Sequence, residues 1–113
     1  MNKRILVALL FFLPLFLSCR LLAATEEQLN SIEKLGTLNG VALQCGYIEQ
    51  AGRIKSALIM NLPKERELGQ LYEEVTNESF LASLNDPAGC PGEAALAERV
   101  DAGITILKKA FSD

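Results

Sequence analysis

Apolar residues recur every three or four positions along residues 37–60, which is the spacing of a helix that buries one face. The repeating positions are Leu38, Ala42, Cys45, Ile48, Ala51, Ile54 and Leu58. The same stretch contains three glycines, at positions 40, 46 and 52. The pattern predicts a central helix, or two helices joined near a glycine, against which the rest of the chain packs.

The segment before this stretch predicts a first helix that begins after Thr25. Thr25 and Gln28 have the spacing of a capping box, in which each side chain bonds the backbone N–H of the other residue. Asn39-Gly40 is a strong helix breaker and predicts a bend or a restart at that point. The alternative is that Gly36 and Gly40, four residues apart, allow a neighbouring helix to approach closely.

Proline and glycine divide the rest of the chain into two more helices. Pro63 predicts a boundary, because the residue before a proline avoids helical geometry, and a helix over about residues 64–84 follows it. The loop-forming residues at positions 85–92 predict a break before a last helix over about residues 93–111. No segment alternates as a strand does. The predicted fold class is therefore all-α, a small bundle of three to five helices stapled by one disulfide.

The N-terminus has the pattern of an export signal. Basic residues at positions 3 and 4 precede an apolar run over residues 5–17, which has the length of a signal-peptide core and is too short for a comfortable membrane span. We therefore predict that residues 1–24 are a signal peptide and that residues 25–113 form a single helical domain. The predicted location is the periplasm of a bacterium.

Cys19 allows a second interpretation of the leader, because it ends the apolar run as the lipidated cysteine of a bacterial lipoprotein does. Phe16 and Leu17 stand where such a motif usually has an aliphatic and a small residue. We therefore favour a chance cysteine within a discarded leader. A lipid anchor at Cys19, which would tether the protein to the membrane, stays open as the one predicted membrane contact.

Two cysteines, Cys45 and Cys90, lie beyond the leader. An even pair in an exported protein predicts a structural disulfide, because the compartment is oxidising. The alternative is a redox-active or metal-binding thiol pair. The chain has no Cys-x-x-Cys motif and no histidine, so the disulfide is the favoured interpretation and we predict no metal site.

The charge of the chain limits its partners. All 14 acidic residues lie beyond the leader, which itself contains three of the 11 basic residues, so residues 25–113 carry eight basic against fourteen acidic side chains and a net charge of −6. This balance argues against nucleic acid and against anionic membrane surfaces. It is compatible with a cationic protein partner.

The residue types needed for catalysis are scarce. Histidine, the commonest general base, is absent, and Glu73 and Glu74 are adjacent, so on a helix they point about 100° apart. We predict no catalytic residues and no cofactor. The candidate binding residues are Tyr47, Arg53, Tyr72 and Phe80, as a recognition patch or a small groove between helices. The alternative is that the aromatic residues pack in the core.

Two functions fit these observations. The first is an exported small helical binding protein without catalytic activity, such as an inhibitor, an immunity factor or an envelope adaptor, with another envelope or secreted protein as its partner. The second is a structural or accessory lipoprotein of a bacterial envelope complex, which a lipidated Cys19 would favour. Small size, predicted export and acidity carry the first interpretation.

Overall fold

The computed structural model describes residues 23–112, and the predicted leader with Cys19 lies outside them except for its last two residues. These residues form an all-α bundle without strands, as the sequence predicts. Its helices are α1 (Glu26–Gln44), α2 (Ile48–Asn61), α3 (Arg66–Leu84) and α4 (Glu93–Ala110).

The central element of the bundle is α1, which packs against each of the other three helices. The stretch over residues 37–60 is therefore not one central helix. It divides at Cys45 and Gly46, where Gly46 has φ +76°, a left-handed conformation that favours glycine. The alternative prediction, two helices joined near a glycine, is confirmed.

Contacts along the helices fix their directions. Gln28 at the start of α1 donates a hydrogen bond to the backbone oxygen of Ala110 at the end of α4 (3.1 Å), so α1 and α4 are antiparallel. Gly36 lies against Val75 and Gly40 against Ser79, so α1 and α3 are parallel. α2 reverses the chain after α1 and contacts α4. Helices α1, α2 and α4 thus form a three-sided core, and α3 packs extensively only against α1.

The core comes mainly from the three-helix unit. Its fully buried apolar side chains belong to α1, α2 and α4: Ile32, Leu35, Ala42, Ile54, Leu96, Val100 and Leu107. By contrast, α3 buries only Leu68 and Thr76. Because α3 is attached through one face of α1, its position depends on how closely those two helices can approach.

Two glycines make that close approach possible. α1 continues through Asn39-Gly40 to Gln44, so the predicted restart at this point is wrong. A Cβ atom at Gly40 would lie 2.6 Å from the backbone oxygen of Thr76 and 2.6 Å from the backbone nitrogen of Phe80. A Cβ atom at Gly36 would lie 3.0 Å from the Cβ of Val75. The glycines therefore serve helix contact, which is the alternative that the sequence left open.

The helix ends follow local chemistry. Gln28 donates its backbone N–H to Thr25 Oγ1 (3.1 Å), and Thr25 donates its own to Gln28 Oε1 (2.9 Å), which confirms the predicted capping box. Pro63 ends α2 as predicted, and the extended conformation of Glu65 delays the start of α3 to Arg66. The last helix matches its prediction within one residue.

Replacing Gly52 with alanine should stabilise the protein by up to about 1 kcal/mol, because Gly52 lies inside α2 and nothing lies within 4 Å of where its Cβ atom would be. The added methyl group meets no neighbour, whereas the unfolded chain loses backbone freedom. Urea unfolding of the two proteins measures the difference, and a loss of stability would contradict the open space at this position.

Candidate functional site

A groove runs between α2 and α3 on the surface of α1, because α2 and α3 both flank α1 without packing extensively on each other. Its volume is about 910 Å³. Asn39 and Leu43 of α1 form the floor. The α2 wall contains Ile48, Ala51, Gly52, Lys55, Leu58 and Ile59, with Leu62 just after the helix, and the α3 wall contains Arg66, Gly69, Tyr72 and Glu73.

Large apolar side chains are exposed along this groove. Ile48 is 80% exposed, Ile59 is 72% exposed and Leu43 is 48% exposed. On α2 these residues belong to a second apolar face, distinct from the face that buries Ile54 and Ala57 in the core. A contiguous exposed apolar surface of this kind is typical of an interaction site.

The sequence pattern did not separate these two faces of α2. It placed Ile48 in the same apolar stripe as Ile54, because both fit a spacing of three or four residues. In the structure Ile54 is fully buried, whereas Ile48 is one of the most exposed apolar residues. The helix therefore has more apolar positions than its core face needs, and this excess is the signal that could have revealed the groove.

Charged side chains stand on both walls of the groove. Lys55 lies on α2 and Glu73 on α3, while Lys64, Glu65 and Arg66 line the end near Pro63. Within residues 23–112 the one ion pair joins Arg53 to Asp101, so Lys55 and Glu73 have no salt-bridge partner there. The groove thus offers an apolar surface with three cationic side chains (Lys55, Lys64 and Arg66) and two carboxylates (Glu65 and Glu73) around it.

Tyr72 lies where the groove meets the packing between α1 and α3. Burial raises the pKa of Tyr72 to about 12 from 10.0, and the side chain of Thr76 acts in the opposite direction. Behind it, Asn39 donates a hydrogen bond from Nδ2 to Thr76 Oγ1 (3.3 Å), joining two buried polar side chains of α1 and α3. The neutral phenol is therefore part of the groove wall at ordinary pH.

The stability of the protein should fall as the pH rises from 10.0 to about 12, because the unfolded chain ionises Tyr72 at its ordinary pKa while the fold holds the phenol neutral. The contribution of neutral Tyr72 is fully present below pH 10.0 and is lost as the pH passes about 12. Urea unfolding across this range should show a shallower fall for Tyr72→Phe than for the parent. Equal slopes in the two proteins would contradict the assignment.

The four candidate binding residues do not form one site. Tyr72 lines the groove. Tyr47 instead donates a hydrogen bond from its hydroxyl to the backbone oxygen of Pro91 (2.7 Å), which ties the start of α2 to the loop before α4. Arg53 donates hydrogen bonds to Gln50 within α2 and to Asp101 of α4. Phe80 is half-buried, and its backbone lies against Gly40.

The predicted disulfide lies beside the Tyr47 contact. Cys45 and Cys90 are bonded, with their Cα atoms 5.8 Å apart. The bond joins the end of α1 to the loop before α4. Together with the hydrogen bond to Pro91, it holds the α1–α2 turn against that loop.

Among residues 23–112, no group of three or more His, Cys, Asp or Glu side chains is arranged to hold a metal ion. None of the four helices described is both long and apolar enough to cross a membrane. No family model, curated protein or solved structure matches the chain.

Proposed function

We propose that this chain is an exported binding protein without catalytic activity, which engages another envelope or secreted protein through the groove between α2 and α3. The observation that carries the proposal is the exposed apolar surface of the groove, with Ile48 and Ile59 standing on its α2 wall. Removing such side chains from water is the main driving force for protein association.

The shape of the groove suits an apolar helix or strand of a partner. The α2 wall has 14 residues and is therefore about 21 Å long. Gly52 on one wall and Gly69 on the other have no atom within 4 Å of where a Cβ atom would lie, so the groove is open to side chains from outside. An amphipathic segment laid along it would bury its apolar face against both walls and the floor.

The charge around the groove favours a partner with a basic flank. Glu67, Glu74 and Glu78 are exposed along one stripe of α3, on the side away from α1. The groove itself contains both signs, whereas this acidic stripe lies on the outer face of α3, about 140° around the helix from Gly69 and Glu73. A cationic flank next to an apolar segment would therefore be attracted, and its binding would weaken with salt.

The Cys45–Cys90 disulfide supports an oxidising compartment and hence the proposed periplasmic location. The signal peptide remains a prediction, and so does the accessory lipoprotein that a lipidated Cys19 would produce. Sequencing the mature N-terminus after cell fractionation distinguishes them: a start at Thr25 supports the free periplasmic form, and a start at lipid-modified Cys19 supports the tethered one.

Site-specific photo-crosslinking in intact cells tests the groove. A photoreactive amino acid is placed at Ile59, which lines the groove, or at Met60, which is 82% exposed on the same helix and outside the groove. We expect the Ile59 position to give an adduct with one other envelope protein, identified by mass spectrometry, that the Met60 position lacks. Equal labelling at both positions, or no adduct with another protein, would contradict the proposal.

A further inference from the structure

We propose that the groove also binds the groove of a second copy of this chain, giving a dimer whose two-fold axis runs along the groove. The inference rests on the proposed function, because it uses the same surface, and it names a partner of defined chemistry. It follows from the positions of the charged and apolar residues along the length of the two walls, measured from the connection at residues 62–65.

Charged residues on the two walls lie at equal distances along the groove from the connection between α2 and α3. α3 runs parallel to α1 and α2 runs back along the bundle after the turn at Cys45 and Gly46, so α2 and α3 are antiparallel across the groove. Lys55 lies seven residues before Leu62, and Glu73 lies seven residues after Arg66. With a rise of about 1.5 Å per residue, both lie about 10 Å from the connection. Lys55 and Glu73 therefore face each other at one level.

The same measure places an exposed isoleucine of one wall level with a gap in the other. Ile59 lies three residues before Leu62, and Gly69 lies three residues after Arg66. Ile59 is 72% exposed, whereas the space around a Cβ atom at Gly69 is empty within 4 Å. One wall thus carries an apolar projection at the height where the other wall has only a glycine.

A two-fold rotation about the groove keeps each residue at its height and places α2 of one copy over α3 of the other. Lys55 then faces the partner's Glu73, and the partner's Lys55 faces Glu73. Ile59 covers the partner's Gly69 in the same way. Each contact occurs twice, as in any symmetric dimer. At the end of the groove each copy brings two cations, Lys64 and Arg66, and one anion, Glu65.

This dimer pairs charged side chains and covers apolar side chains that are exposed in the monomer. Like the other charged side chains of residues 23–112 apart from Arg53 and Asp101, Lys55 and Glu73 have no salt bridge in the monomer, and the reciprocal pairing gives each of them a partner. The rotation also places the exposed Ile59 of α2 against the partner's wall that contains Gly69 and Tyr72. A rotation axis across the groove would instead place α2 over the partner's α2, which presents no acidic side chain to the groove, so the charges favour the axis along it.

Sedimentation equilibrium of the protein purified after export tests the charge pairing. The parent should be a dimer in the micromolar range, with weaker association at high salt. Lys55→Glu and Glu73→Lys should each weaken it at least about tenfold, because every single change creates two like-charge contacts. The double variant should restore association. Lys34→Glu, an equal charge change on the exposed surface of α1, should leave it unchanged.

A second pair of variants tests the apolar contact. Ile59→Ser should give a monomer, whereas Met60→Ser, at an exposed neighbour outside the groove, should stay dimeric. Circular dichroism confirms that each variant is folded. A monomeric parent, a double charge variant that stays monomeric, or equal effects at positions 59 and 60 would overturn the dimer. In each of these cases Ile59 could still crosslink to another protein. The dimer and the proposed function are therefore tested independently of each other.

Discussion

Replacing Gly40 with alanine is expected to destabilise the protein by about 3 kcal/mol or more. The added Cβ atom would lie 2.5 Å from the Cβ of Ser79 and 2.6 Å from backbone atoms of Thr76 and Phe80. Backbone atoms of a helix cannot move aside singly, so α3 as a whole has to shift away from α1. The gain in helix propensity from glycine to alanine, about 1 kcal/mol, is too small to offset this.

Urea unfolding of three glycine variants measures the effect. Gly36→Ala should cost less than Gly40→Ala, because its contacts of 3.0–3.2 Å involve mainly the side chain of Val75, which can adjust. Gly52→Ala, with empty space around it, should stabilise the protein. If Gly40→Ala is as stable as Gly52→Ala, α1 and α3 do not approach as closely as described.

The Gly40 variant also links the fold to the groove. α3 is attached to the bundle mainly through α1, and it supplies one whole wall of the groove. A shift of α3 should therefore reduce groove crosslinking from Ile59 while the three-helix unit of α1, α2 and α4 keeps its core. Native-state hydrogen exchange should accordingly show α3 as the least protected of the four helices in the variant.

Features set by neighbouring residues could be predicted from the sequence. Pro63 fixes the end of α2, since it removes an N–H and restricts the residue before it. The Thr25–Gln28 capping box forms as expected. The cysteine pair also forms its disulfide. Each of these depends on the chemistry of a few adjacent residues or on the count of cysteines.

Features that depend on packing between helices could not be predicted in the same way. Asn39-Gly40 is a breaker by local preference, yet the helix continues because Gly40 lets α3 approach and Asn39 bonds Thr76. Local propensity is here overridden by tertiary contact. The position of the groove was missed for the same reason, since it exists only because α2 and α3 flank α1 on separate sides.

The candidate site shows the same limit. The scarcity of aromatic residues singled out Tyr47, Tyr72 and Phe80, but only Tyr72 lines the groove. The residues that give the groove its character, Ile48 and Ile59, look like core residues in the sequence. Exposure of an isoleucine is decided by how many apolar faces the neighbouring helices can cover, and a one-dimensional pattern does not contain that number.

Replacing both Cys45 and Cys90 with serine is expected to lower stability by about 4 kcal/mol, because the disulfide closes a loop with a sequence separation of 45 residues. For a domain of this size the loss is a large fraction of the net free energy of unfolding. The bond restrains the unfolded chain, and in the fold it holds the segment over residues 85–92, where all side chains but that of Pro91 are exposed.

The loop over residues 85–92 should loosen first in the double variant. Besides the disulfide, this loop is held by the hydrogen bond from Tyr47, at the start of α2, to the backbone oxygen of Pro91. That bond contributes about 1 kcal/mol. We therefore expect limited proteolysis to cut the double variant within this loop while the parent resists. Tyr47→Phe, which keeps the disulfide, should lose about 1 kcal/mol and stay resistant to the protease.

Urea unfolding with and without a reductant separates the bond from the substitutions. Reducing the parent should bring its unfolding midpoint down to that of the double variant, which the reductant should leave unchanged. The midpoint of Tyr47→Phe should fall on reduction as far as that of the parent, because the hydrogen bond and the disulfide hold the same loop by separate contacts. Two free thiols in the native protein, or a double variant as stable as the parent, would show that the Cys45–Cys90 bond does not hold the α1–α2 turn against this loop.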